Sequence, residues 1–261
     1  MTDTSVPPEA SSIGRRTVLI ATGATAATLA VGAAATPEAP TPETVDTGSI
    51  APVAAAAVCT LTKEMTEGPY YLDGQLVRTN IAEDKTGIPL QLTLTVVDDD
   101  TCAPLSNALV ELWHADALGE YSGFVGNNGH DEPDNGTFLR GGVLTNSSGV
   151  ARITSVYPGW YRGRCIHIHL KVHTNVTLTS DGSFTGGQEL HTGQLFFDET
   201  ITTRVAALSP YSTNTAPRTT LAQDSIYDEG GAASGLLTLT ALGSTPSAGY
   251  AGTLTVGVES S

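Results

Sequence analysis

A chain of 261 residues with 40% hydrophobic and only 15% charged residues, 28 glycines and 14 prolines, can bury a substantial core. Its turn-rich composition suits β-structure rather than a helical bundle and excludes global disorder. Twelve lysines and arginines against 27 aspartates and glutamates leave a formal charge of −15, which repels phosphate backbones, and no basic stripe offsets it, so no nucleic-acid partner is expected.

In chain order, the first segment is SIGRRTVLIATGATAATLAVGAAA, residues 12–35, where paired Arg15 and Arg16 precede an uncharged run ending in small residues. It reads as a twin-arginine export signal occupying residues 1–35. A membrane anchor is the competing reading, but the run has few large apolar side chains, and Ala33, Ala34 and Ala35 offer a cleavage site. Removal would take away Asp3, Glu9, Arg15 and Arg16, leaving the charge at −15. Residues 36–58 are Pro/Thr/Ala-rich without a core pattern and read as a flexible spacer. The folded domain is then 59–261, in a protein expected outside the cell or at its surface with no membrane span once mature. Twin-arginine transport generally serves proteins that fold, often with a cofactor, before export, which points towards a metal.

From residue 88 the pattern has period two: IPLQLTLTVVD, NALVELWHAD, GVARITSVYP, CIHIHLKVHT, GLLTLTAL and GTLTVGVE read as strands. Stretches rich in Gly, Asn, Asp, Ser and Pro separate them as turns. Two packed antiparallel sheets, an all-β sandwich, bury one apolar face from each strand. The longest loops, 121–136 and 200–234, are expected to build a site at one edge. An exported chain with three cysteines allows one disulfide. Cys59 opens the folded region and Cys102 sits in the turn DDDTCAPL, so these two are expected to pair and leave Cys165 free.

YPGWYRGRCIHIHLKV, residues 157–172, carries the chemistry. In a strand, side chains at i and i+2 share a face, so His167 and His169 project together while Ile166, Ile168 and Leu170 fill the other side. Two imidazoles can then reach one ion, although the plain alternative is a solvated face with incidental histidines. Further ligands would come from tyrosines, Cys165 or carboxylates. Phenolates suit a hard, highly charged ion such as ferric iron, and a thiolate suits copper or zinc. Cys165 shares the parity of the histidines, yet three such residues span roughly 13 Å along a strand, too far to meet one ion without a bulge.

The sequence resembles the intradiol ring-cleavage dioxygenases, through TEGPYYLDGQLVRTNI (66–81), ALVELWHADALGEYSGF (108–124), YPGWYRGRCIHIHLKV (157–172) and TGQLFFDE (192–199). The resemblance implies a non-haem ferric ion held by Tyr121 of GEY, Tyr161 of PGWY, and His167 and His169 of HIH, with Tyr161 axial and Tyr157 left to packing. It implies Arg164 beside the substrate, where a guanidinium can stabilise charge developing on the ring. Gln194 would be a polar residue behind the ligands, Tyr70 and Tyr71 pocket lining, and Trp113 and His114 supports; His130, His173 and His191 are left structural or exposed. Cys165 departs from the family pattern, where proline or threonine would be less surprising. The implied reaction joins a small aromatic diol and dioxygen, with Tyr161 and a bound hydroxide accepting the substrate protons, to give cis,cis-muconate-type diacids. Catechol, protocatechuate, hydroxyquinol and larger catechols all stay open as substrates. No extended helical region precedes the strands to support a helix-mediated dimer, so a monomer or small homo-oligomer is expected. Two other readings compete: a secreted non-catalytic binding module that holds no stoichiometric iron, and a copper or zinc protein using Cys165 with the histidines.

Overall fold

Alternation along PLQLTLTVVD sets the first layer: in β1 (Pro89–Asp98), Leu90, Leu92, Leu94 and Val96 are buried, while Gln91, Thr93 and Thr95 between them are not. The structure is a computed structural model that describes residues 59–126, 128–228 and 232–260, so the expected export signal and spacer lie outside the described residues. After β1 come β2 (Leu109–Trp113), β3 (Tyr121–Val125), β4 (Gly129–His130), β5 (Arg140–Leu144), β6 (Val150–Val156) and β7 (His167–Thr174). Then follow β8 (Thr177–Leu178), β9 (Phe184–Thr185), β10 (Gln188–Phe196), the helices α1 (Glu199–Ala206) and α2 (Ser225–Asp228), and finally β11 (Thr238–Ala241) and β12 (Tyr250–Val258).

One four-stranded sheet runs β11-β12-β1-β6 and the other β10-β7-β2-β5. Leu90, Leu92 and Leu94 from the first meet Val110, Leu112, Ile168, Leu170 and Val172 from the second in one buried cluster, which makes the expected sandwich. All pairings in the second sheet are antiparallel. In the first, β1 and β12 run parallel, from Leu90 opposite Tyr250 to Asp98 opposite Val258. Parallel neighbours need a long crossover, and almost the whole domain lies between these two strands. Cys59 and Cys102 are joined in a disulfide with Cα atoms 5.5 Å apart, and Cys165 is free and buried.

The second sheet positions the site. β7 turns Ile168, Leu170 and Val172 into the core and presents His167, His169, Lys171 and His173 on its outer face, yet all of these are buried. Residues ahead of β1 supply part of the cover, as where Met65 N donates to Thr192 O at 2.9 Å and Val77 bridges to Gly142. The 121–136 loop contains the small parallel ribbon of β3 and β4. The 200–234 stretch, read as loop, begins instead with α1, capped by Asp198, whose Oδ1 accepts from Thr200 N at 2.8 Å and Ile201 N at 3.1 Å. Among the described residues, no helix is long and apolar enough to cross a membrane.

Candidate metal centre

Two glycines bring the tyrosines together. A Cβ on Gly119 of GEY, where φ is +90°, would lie 2.2 Å from the Trp160 carbonyl oxygen, and one on Gly159 of PGWY would lie 2.4 Å from that of Ala117. Each turn therefore seats on the backbone of the other, which a side chain at either place would prevent. Asp116 fixes the first turn by accepting from Leu118 N and Glu120 N, and its carbonyl accepts from Gly159 N at 2.9 Å. The rings of Tyr121 and Tyr161 end with centroids 5.9 Å apart.

His167 and His169 enter from β7. His167 Nδ1 lies 2.7 Å from the Cys165 carbonyl oxygen, so Nδ1 carries the proton and donates, and Nε2 keeps its lone pair for the cluster. Around that Nε2 stand His169 Nε2 at 3.1 Å, the Tyr161 hydroxyl at 3.3 Å, the Tyr121 hydroxyl at 3.5 Å and Arg164 Nη1 at 3.5 Å. The His169 ring stacks on Trp113 at 4.8 Å and 6°, and its Nδ1 has no hydrogen-bond partner.

Burial, then the nearby Arg164 charge, pulls His167 down to about 3; burial and His167 pull His169 well below the usual imidazole range. Both are neutral donors at ordinary pH. Burial pushes the Tyr121 phenol far up, with Tyr161 adding to it, and pushes Tyr161 up against the opposing charge of Arg164. The phenols therefore stay protonated until an ion stabilises their anions. Metal bonds of about 2.0–2.2 Å set neighbouring donors roughly 3 Å apart, close to the spacing of this cluster. Two phenol oxygens and two imidazole nitrogens, three of the four within 3.5 Å of the His167 Nε2, fit a hard, highly charged cation.

Arg164 is held from two sides. Its Nε donates to Asp224 Oδ2 at 2.9 Å and its Nη2 to Gln194 Oε1 at 2.5 Å, while Gln194 Nε2 donates to Thr66 O at 2.9 Å. Tyr70 stacks on Tyr121 at 4.4 Å and 11° and lies 6.1 Å from Tyr161, so it borders both phenols. The Tyr71 hydroxyl donates to Glu111 Oε2 at 3.3 Å and its ring lies 5.0 Å from Trp113, bracing the wall behind His169. Tyr157 is core, fully buried, with its hydroxyl 2.7 Å from Thr202 Oγ1. His114 is also buried, 2.7 Å from Ser155 Oγ. His173 meets Glu111 at 3.0 Å, His191 meets Glu64 at 2.7 Å and His130 meets Glu120 at 3.4 Å, so the three histidines left as structural or exposed all have carboxylate contacts.

Three residues had no role in the sequence reading. Arg140 is 1% exposed, donating to Ser122 Oγ, Ser122 O and Tyr70 O at 2.8, 2.9 and 2.6 Å, and burial draws its guanidinium down to about 10. It fastens the Tyr70 segment to the strand of Tyr121. Glu111 is buried beneath Tyr71 and His173, and Asp224 beneath Arg164. Among the described residues, the group of three His, Cys, Asp or Glu donors within 4.8 Å of one another is Asp116, Glu120 and His130. Cys165 belongs to no such group; its thiol is pushed up by burial and by Asp224.

A dioxygenase family model matches residues 66–178. Catechol 1,2-dioxygenase of Acinetobacter baylyi is 33% identical over 113 residues, 41% of this chain and 35% of that protein. Chlorocatechol 1,2-dioxygenase of a Pseudomonas species is 28% identical over 144 residues, 46% of this chain and 55% of that protein, so the chain spans from about a third to about half the length of these curated relatives. The solved intradiol ring-cleavage dioxygenase of Tetranychus urticae superposes with a TM-score of 0.66 at 32% identity, over 77% of this chain and 95% of that one. This chain belongs to the intradiol ring-cleavage dioxygenases. The dioxygenase domain of a carbohydrate-binding fusion protein from Streptomyces sp. SirexAA-E shares the fold, at 24% identity and a TM-score of 0.53 over 77% of this chain and 100% of that one. In this intradiol dioxygenase, Tyr121, Tyr161, Arg164, His167 and His169 all lie inside the matched segment, whereas Gln194 and Asp224 lie beyond it.

Proposed function

We propose that this intradiol dioxygenase holds one non-haem ferric ion through Tyr121, Tyr161, His167 and His169. With dioxygen it opens catechol-type rings between the two hydroxylated carbons, giving cis,cis-muconate-type diacids. The observation that carries the reading is the convergence of two phenol oxygens, His169 Nε2 and the Arg164 guanidinium on His167 Nε2, at 3.1–3.5 Å. Ferric iron, when bound by these four residues, would supply a Lewis acid that makes a catechol ring reactive towards dioxygen.

The chain's own residues divide the remaining work. Tyr121, 1% exposed and stacked under Tyr70, is fixed. Tyr161 is the less buried phenol, so its Oη is the atom that gives way to substrate and takes up a substrate proton. Arg164, gripped by Asp224 and Gln194, keeps Nη1 at the cluster, where it offsets negative charge that develops on the ring. Tyr70 and Phe124, packed edge to face at 5.1 Å, form an aromatic wall beside Tyr121.

The visible spectrum of the purified chain, with its iron content, tests this. A red-brown band that shifts on adding catechol without oxygen is expected; a chain that takes up no ferric ion on reconstitution overturns the reading. We also propose that residues 1–35 direct twin-arginine export and 36–58 act as a spacer, delivering the enzyme outside the cell or to its surface. Replacing Arg15 and Arg16 by lysine should then keep the precursor in the cytoplasm, and unchanged export would refute it.

A further inference from the structure

Residues far apart in sequence meet on one carboxylate. Asp224, fully buried, lies just before α2. Its Oδ1 accepts from Ile226 N at 2.9 Å and Tyr227 N at 3.2 Å. Its Oδ2 accepts from Arg164 Nε at 2.9 Å and from Cys165 N at 2.7 Å. The carbonyl of that same Cys165 takes the His167 Nδ1 proton at 2.7 Å. One oxygen of Asp224 therefore holds the guanidinium of residue 164 and the backbone of residue 165, and that backbone holds the imidazole of residue 167.

We propose that Asp224 is a positioning residue for ring cleavage: it aims Arg164 Nη1 at the donor cluster. The proposal rests on the functional reading above. A long arginine side chain has many rotamers, and holding its planar fork by Nε on one side and Nη2 on the other leaves Nη1 a single direction. A mostly buried guanidinium also needs a counter-charge; the carboxylate in ion-pair contact with Arg164 is Asp224, whose own side chain is 0% exposed. Capping the four-residue α2 accounts for the bonds to Oδ1 and leaves both bonds to Oδ2 unexplained.

The test is a double-mutant cycle in the iron-loaded enzyme with catechol, using Asp224→Asn, Arg164→Met and the double variant. Asp224→Asn should keep its iron and tyrosinate band and bind catechol anaerobically within about threefold of wild type, while kcat falls at least about tenfold. In the Arg164→Met background the same change should cost less than about twofold, because its effect runs through Arg164. Wild-type kcat in Asp224→Asn, or losses that multiply in the double variant, would overturn the proposal and leave the ligand set and the reaction untouched. Wild-type kcat in Arg164→Met would instead remove the role given to Arg164, and the proposal with it. If Asp224→Asn does not fold, the native chain loaded with gallium(III) supplies the answer by proton NMR. The Arg164 Nε proton, held on a buried carboxylate, should exchange at least about a hundredfold more slowly than that of exposed Arg162, and equal rates would overturn the proposal.

Discussion

Tyr121 and Tyr161 share a chemistry and differ in freedom. Tyr121 is fully enclosed and stacked, while Tyr161 keeps part of its surface open. Tyr161→Phe should therefore keep the fold and some iron but lose at least about a hundredfold in kcat, the usual worth of a positioned base, and wild-type turnover would refute the role. His167→Ala should lose the metal, which elemental analysis would reveal. The residues of the candidate site were legible because strand parity pairs His167 with His169 and short motifs carry Tyr121, Tyr161 and Arg164. Asp224 was not, because it reaches Arg164 across 60 residues of chain and reads locally as an ordinary cap. Arg140 gave no signal either, since nothing in RGGVL says that three backbone and hydroxyl oxygens await it.

At the scale of elements, strands with a visible period were plain in the sequence, even where both faces are buried as in β7, and β10 was not. β1 alternates visibly, but β10, reading QELHTGQLF, buries all of its last six residues and lacks a period. α1 was missed for a different reason. ETITTRVA is rich in β-branched residues, which favour strands, and it is helical because Asp198 caps it and Thr202 and Val205 pack inward. Asp198→Ala should cost about 1 kcal/mol and lower the melting temperature by about 2–4 °C. A calorimetric scan indistinguishable from wild type would mean that packing alone holds the helix.

For the whole molecule, acidity is the sensitive variable. In the iron-free chain, burial draws His114 down to about 4, His167 to about 3 and His169 well below its usual range. Each would titrate near about 6.5 once unfolded. Above that pH neither state binds the extra protons. Below it the unfolded chain takes them up and the folded chain refuses them, so stability falls by about 1.4 kcal/mol per pH unit for each histidine. Together the three make stability fall progressively as the pH drops below about 6.5. Thermal melts of the iron-free chain at pH 7.5, 6 and 5 should fall progressively, and a flat profile would contradict the neutral, buried state of these histidines.

β7 uses its two faces for different ends. Ile168, Leu170 and Val172 close the sandwich on one side, and His167 and His169 face the proposed metal site on the other. The core contacts of that strand do not run through the donor cluster, so the proposed ion is not what holds the two sheets together. On the proposed reading, loading is then a supply problem, governed by where the ion can be met and not by when the polypeptide folds.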